Sequence, residues 1–249
     1  MPAATVNNAF YDDLGDRWFE GDDHAIALLR REGLLKTAYA RETLARHGMD
    51  EESGARVLDV ACGAGLIAIP LADAGYRVEG VDLAEGALDV ARQRVPPGAD
   101  ATFRRGDALA LDAADGSYDA VLLLDMLEHV ERPDLALAEA ARVLRPGGIV
   151  VFSTFNQTPL AWLVAVHGFR FVVRDVPEHV HVWDLFIPPE TLREHAAAAG
   201  LAVDEMRGMR PALNGGLVRS VLRRRLDPDF WFTYSDSLAV GYLGTAVKS

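Results

Sequence analysis

RVLDVACGAG, residues 56–65, decides how the rest of the chain is read. Val57 and Leu58 read as the end of a buried strand. Asp59 closes it, and Gly63 and Gly65 open a tight turn into LIAIPLADAG. A strand, a glycine turn and a helix bring backbone close to a bound ligand, because glycine has no Cβ to stand in the way. A second strand, RVEGVD, ends in Asp82. A carboxylate there can accept hydrogen bonds from both hydroxyls of a ribose. The pair points to a nucleoside-containing cofactor. The spacing Asp59-x-x-x-Gly63-x-Gly65 is not the dinucleotide fingerprint, which needs a third glycine, and position 61 is Ala. An acidic strand end repels phosphate and suits a cationic or polar ligand.

Outward from this stretch, strand and helix patterns alternate. Strands are expected at 56–60, 77–82, 101–105, 117–124 and 149–154, with helices at 64–74, 86–95 and 134–144. Such alternation predicts a parallel sheet covered by helices on both faces. RPGG at 145–148 turns a helix into a strand, and PPETLREHAAAAG at 188–200 reads as a further helix. LAVDEMRGMR and LAVGYLGTAVK read as two late strands able to pair antiparallel. Residues 7–20 and 24–47 look helical and precede the first strand. The expected division is an N-terminal helical cap over 1–50 and an α/β domain over 51–249.

Composition limits the function classes. The 249 residues, half of them hydrophobic, suffice for one α/β core with appended elements. The net charge of −12 argues against a nucleic-acid-binding surface. The single cysteine, Cys62, excludes an internal disulfide and a multi-cysteine zinc site. No signal peptide opens the chain, and no run reaches the ~18–20 apolar residues of a membrane span. A cytoplasmic protein is expected.

Residues 156–186 break the βα rhythm. The first half is apolar, with Arg170 and Arg174 one helical turn apart. An insertion of this length is either an extra packed helix or a lid over an apolar substrate, one able to touch a membrane surface. The stretch 207–238 carries Arg223–Arg225 beside aromatics. It reads either as a wall of a substrate pocket or as a solvated helix.

Several motifs then coincide. VLDVACGAG, VDLAEGALDVAR, GDAL, YDAVLLLDMLEHV and VLRPGGIVVFSTFN resemble a class I S-adenosylmethionine-dependent methyltransferase. LDMLEHV, FSTFN, W-L-x-A-V and FIPPETL resemble more narrowly the ubiquinone-biosynthesis O-methyltransferases. The resemblance implies a Rossmann-like, mostly parallel, seven-stranded sheet and the cofactor S-adenosylmethionine. It places Asp59 near the amino-acid end of the cofactor, with backbone of Ala61, Gly63 and Gly65 beside it. Asp82 would hold the ribose and Leu83 would pack on the adenine. Asp107 would meet the adenine amino group, with Ala108 supplying an N–H, or else cap a turn. Leu124 would stand beside the methyl donor. Lys36 falls where the family has an Arg that reaches the cofactor carboxylate; lysine keeps the charge but loses the bidentate geometry.

Asp125, Glu128 and His129 follow the fourth strand, at the edge where open parallel sheets bind ligands. Two carboxylates and an imidazole can grip a divalent cation such as magnesium. The resemblance attributes that role to an E-x-x-E-H version of the cluster. The same residues can instead act without metal, as a base or as positioning groups, or be structural. His179 and His181 end the insertion, and His181 is either a substrate-facing base or a structural loop residue. Tyr11, Trp18 and Phe19 either close the cap over the cofactor or only pack it. The expected activity is methyl transfer to a phenolic or catecholic hydroxyl of a small molecule, of quinone-pathway or natural-product type. N- or C-methylation is the alternative. A nicotinamide oxidoreductase lacks its third glycine here, and a non-catalytic binder sits poorly with an intact DMLEHV.

Overall fold

Runs rich in valine and leucine form the central strands, and a computed structural model describes residues 8–177 and 181–249. Five strands lie parallel: β1 (Arg56–Val60), β2 (Arg77–Asp82), β3 (Ala101–Arg105), β4 (Tyr118–Leu124) and β5 (Leu144–Phe155). Three more, β6 (Leu201–Pro211), β7 (Phe232–Ser235) and β8 (Gly241–Lys248), are antiparallel additions. The sheet order is β3-β2-β1-β4-β5-β8-β6-β7. The eighth strand, against the seven expected, is β7, where FTYS pairs with the outer side of β6. The two late strands pair antiparallel, Leu201 opposite Lys248, with a helix and β7 between them in the chain.

Strand period sorts the core into two layers. Val57, Ala120, Leu122 and Val151 pack on the side of α1 (Ala25–Arg46), α2 (Ala68–Asp73) and α3 (Glu85–Arg94). Their chain neighbours Leu58, Val121, Leu123 and Val150 pack on the opposite side, against α4 (Pro133–Val143). Each of these valines and leucines taken out of water stabilises the fold by about 1.5–3 kcal/mol. Pro133 starts α4, where its missing N–H is not needed.

Three expected boundaries moved. The helix expected from 64 begins only at Ala68, because Ala61, Gly63 and Gly65 all hold left-handed backbone (φ 59°, 52° and 78°) and the intervening residues turn. Strand β5 starts at Leu144 and takes in the RPGG turn. Of the helix expected over 7–20, the described residues form two short 3-10 turns, Asn8–Tyr11 and Gly15–Trp18.

The insertion after β5 is helical: α5 (Pro159–Ala161), a π-helical segment Trp162–Gly168 and α6 (Phe169–Val172). It leads to α7 (Pro189–Ala198), and α8 (Gly215–Arg223) follows β6. Between β1 and β4 the strand order reverses, which opens a crevice at the carboxyl ends of the strands.

Candidate functional site

At that crevice lies a cavity of about 620 Å³, walled by the N-terminal turns, the ends of β1, β2 and β4, and the insertion. Asp82, at the end of β2, accepts the Gly63 N–H on one oxygen and the Ala84 N–H on the other, each at 2.8 Å. Both oxygens keep a lone pair for a ligand. A Cβ on Gly63 would lie 2.7 Å from the Trp18 ring, so only glycine fits beneath that cover. Trp18 stacks on Tyr11 with centroids 5.9 Å apart, and its indole N–H is buried with no partner. Phe19 packs with the same N-terminal cluster, and Arg94 lies over its ring.

The expected cofactor residues divide by position. Asp59, Ala61, Gly63, Asp82, Leu83, Asp107, Ala108 and Leu124 all line the cavity. Leu83 is 54% exposed, an open apolar platform beside Asp82. Asp107 Oδ1 accepts the Leu109 N–H at 2.9 Å, so this carboxylate does cap a turn while the residue borders the cavity. Gly65 does not line the cavity; it faces Ile69 and Phe103 and keeps the turn tight from behind. Burial, with Asp82 nearby, pushes the Asp59 carboxyl up to about 7. A cationic ligand would reverse that shift.

Lys36 is placed differently from expectation. It is wholly buried on α1 and does not line the cavity. Its ammonium lies 2.8 Å from Glu32 Oε2 and donates to both oxygens of Asp125. Glu32 and Asp125, not Lys36, form that wall. Glu32 was not singled out in the sequence, although its i,i+4 spacing to Lys36 is a readable helix pair.

Past β4, Asp125 (φ 56°) turns the chain into a 3-10 turn, Leu127–His129. Glu128 is buried, and its Oε2 accepts the Thr154 hydroxyl at 2.8 Å while Oε1 has no partner. Burial, then the Asp125 charge, pushes the Glu128 carboxyl up to about 8. Burial holds the His129 imidazole down at about 3, and His181 adds to the effect, so the ring is neutral. Its Nδ1 is buried without a partner. The His129 and His181 rings lie 6.0 Å apart, and Tyr11 stands 6.2 Å from His129. His181 Nδ1 donates to the Ala165 carbonyl at 3.1 Å, which leaves Nε2 as the acceptor nitrogen. Burial, with the Glu128 and Asp125 charges, pushes the Tyr11 phenol up, so it stays a neutral hydroxyl. His179 lies outside the described residues.

The expected divalent site at Asp125, Glu128 and His129 is not assembled. Both Asp125 oxygens are taken by Lys36, Ser153 donates to Oδ1 at 3.0 Å, and Thr154 occupies Glu128 Oε2. Among the described residues no three His, Cys, Asp or Glu side chains converge to hold an ion. The donor set does not fit a dication.

From the insertion, Phe169, Val176 and His181 reach the cavity, whereas none of residues 207–238 does. Leu222 is 79% exposed and Phe171 65%; α6 and α8 are joined where Arg224 donates to the Arg170 carbonyl at 3.1 Å. No helix among the described residues is long and apolar enough to cross a membrane.

Comparison with known proteins agrees with this geometry. Residues 58–152 match the family model described as a methyltransferase domain. The ubiquinone biosynthesis O-methyltransferase of Azorhizobium caulinodans is 36% identical over 208 residues, covering 81% of this chain and 82% of that one. The protein of the same description from Bordetella avium is 36% identical over 219 residues, covering 84% and 86%. In fold, the magnesium protoporphyrin IX methyltransferase of Synechocystis, solved with bound SAH, superposes with a TM-score of 0.66 at 22% identity, covering 98% of this chain and 96% of that one. With its sheet and glycine turn in that arrangement and its sequence matched over four fifths of its length, the chain is a class I S-adenosylmethionine-dependent methyltransferase and belongs to the ubiquinone biosynthesis O-methyltransferase family.

Proposed function

We propose that this chain methylates a phenolic or catecholic hydroxyl of a small apolar acceptor, of quinone-pathway or natural-product type, in the crevice at the carboxyl edge of the sheet. The observation that carries the reading is the free Glu128 Oε1: a buried carboxyl oxygen on the cavity wall with no hydrogen-bond partner. The names of the relatives support the same chemistry. When bound, S-adenosylmethionine supplies an electrophilic methyl group on a sulfonium.

The chain's residues bind, align and take a proton. Asp82, pinned by Gly63 and Ala84, receives the ribose hydroxyls. Leu83 packs on the adenine, and Asp107 and Ala108 meet its edge. Asp59 faces the cationic amino-acid end, with the Ala61 and Gly63 backbone alongside. Leu124 shapes the wall beside the methyl group. Glu128 Oε1 accepts the proton of the acceptor hydroxyl while Thr154 fixes Oε2. A carboxyl raised to about 8 is a stronger base than an ordinary carboxylate, so in its ionised form it takes a phenolic proton more readily. His129, neutral, accepts a hydrogen bond from the acceptor and orients it. His181 closes the same wall from the insertion. Alignment carries most of such a displacement, so the N-terminal turns with α1 and the described part of the insertion act by holding the acceptor and excluding water.

The apolar acceptor is drawn from a membrane surface. Phe171 and Leu222 are exposed on the insertion and α8, beside the contact that Arg224 makes with the Arg170 carbonyl. Apolar side chains flanked by arginines suit an anionic bilayer face. The test of the reaction is incubation with a ¹³C-methyl-labelled cofactor and substituted catechols such as 3,4-dihydroxybenzoate. NMR then locates the new methyl on oxygen, or on nitrogen or carbon, which would contradict the proposal.

A further inference from the structure

We propose that the Lys36 ammonium, positioned by Glu32, is the fixed cation of the acceptor site, and that methyl transfer by this chain needs no divalent metal ion. The inference rests on the O-methyl-transfer reading of the same site.

Lys36 is fully buried, and a buried ammonium persists only when paired. Its partners come from two elements. Glu32 stands one turn earlier on α1, 2.8 Å away, and Asp125 stands at the end of β4 with both oxygens toward the ammonium. Asp125 is further tied to β5. Its N–H donates to the Ser153 hydroxyl at 3.0 Å, and that hydroxyl donates to Oδ1 at 3.0 Å. These ties hold a non-glycine residue in left-handed backbone, a conformation that persists only when its surroundings enforce it.

The consequence is a filled cation position. Asp125 and Glu32 face the cavity and Lys36 stands behind them. A dication placed on Asp125 would share one carboxylate with the ammonium, and the two cations would repel across it. Nor do the neighbours complete an ion shell: of Glu128 only Oε1 is open, and no three metal-binding side chains converge among the described residues. Lys36 acts through Asp125 and is a positioning residue. It fixes the charge and direction of the carboxylate that borders the acceptor.

Two readouts on the full chain with demethylated cofactor bound test this. Titration with Mn²⁺ followed by EPR is expected to show no ion bound by the unsubstituted protein, and turnover of 3,4-dihydroxybenzoate is expected to be unchanged by EDTA or added Mg²⁺. Lys36→Met strips Asp125 of its partner and is expected to slow turnover about tenfold or more, as misplacement near the reacting groups does, whereas Lys36→Arg, which keeps the charge, restores most of it. Micromolar Mn²⁺ binding that Asp125→Asn abolishes, or EDTA inactivation reversed by Mg²⁺, overturns the proposal. Should Lys36→Met not fold, the measurements on the unsubstituted protein decide alone. If no catechol is methylated, the O-methyl-transfer reading fails, while the Mn²⁺ titration still decides the question of the ion.

Discussion

The Gly63 amide donates to Asp82 Oδ2 at 2.8 Å, tying the turn after β1 to the end of β2. One carboxylate therefore both fixes the glycine turn and faces the cavity. Asp82→Ala is expected to weaken S-adenosylmethionine binding by about 1–3 kcal/mol, the range for a buried polar group left unsatisfied. Isothermal titration checks this, and unchanged affinity would remove Asp82 from the cofactor site.

The free Oε1 of Glu128 makes a prediction about pH. A carboxyl held near 8 loses its proton as pH rises, so turnover is expected to climb through that value. Glu128→Gln should lower kcat about 10²–10⁴-fold, the usual contribution of a positioned base, and abolish the rise, with cofactor affinity close to that of the unsubstituted enzyme. A Gln variant with the same pH–rate curve would show that another group takes the proton.

Asp59 links cofactor binding to proton release. Its carboxyl lies at about 7 in the fold and at ~3.9 in an unfolded chain. Between those values the folded protein holds a proton that the unfolded chain has lost. This group's contribution to stability is thus complete below the lower value and is lost as pH rises through the upper one. A cationic ligand favours the carboxylate and expels the proton. The Tm of the cofactor-free protein should fall from about pH 4 to pH 7, and stabilisation by cofactor should grow over the same interval. Calorimetry at pH near 6, in buffers of different ionisation heat, should show proton release; identical heats after buffer correction would contradict the assignment.

The exposed face of the insertion and α8 gives a separable prediction. Phe171→Asp with Leu222→Asp removes two apolar side chains worth roughly 1.5–3 kcal/mol each when buried. Cosedimentation with anionic phospholipid vesicles should drop sharply while cofactor affinity holds. Equal sedimentation of the two proteins would show that this face does not meet lipid.

Much of the cavity wall at the ends of β1 and β2 was legible from residue types. Asp59, Gly63 and Asp82 belong to local strand–turn segments, where spacing alone fixes which backbone borders the cavity. The acceptor half was less so, because its geometry depends on contacts distant in sequence. Asp125 reads as a metal ligand until Lys36, on α1, is seen lying against it. Lys36 reads as a cofactor ligand until it is found behind Glu32 and Asp125, outside the cavity lining. Thr154 carries no motif, yet it holds Glu128. Strand β7 was missed because FTYS is too short to show a period and forms only by pairing with β6.

The most direct test is transfer of a labelled methyl group from S-adenosylmethionine to a substituted catechol by the purified full chain. A new O–CH₃ resonance that appears with the unsubstituted enzyme and is lost with Glu128→Gln is the expected result. A label that never leaves the cofactor, or that arrives on nitrogen or carbon, would contradict the account.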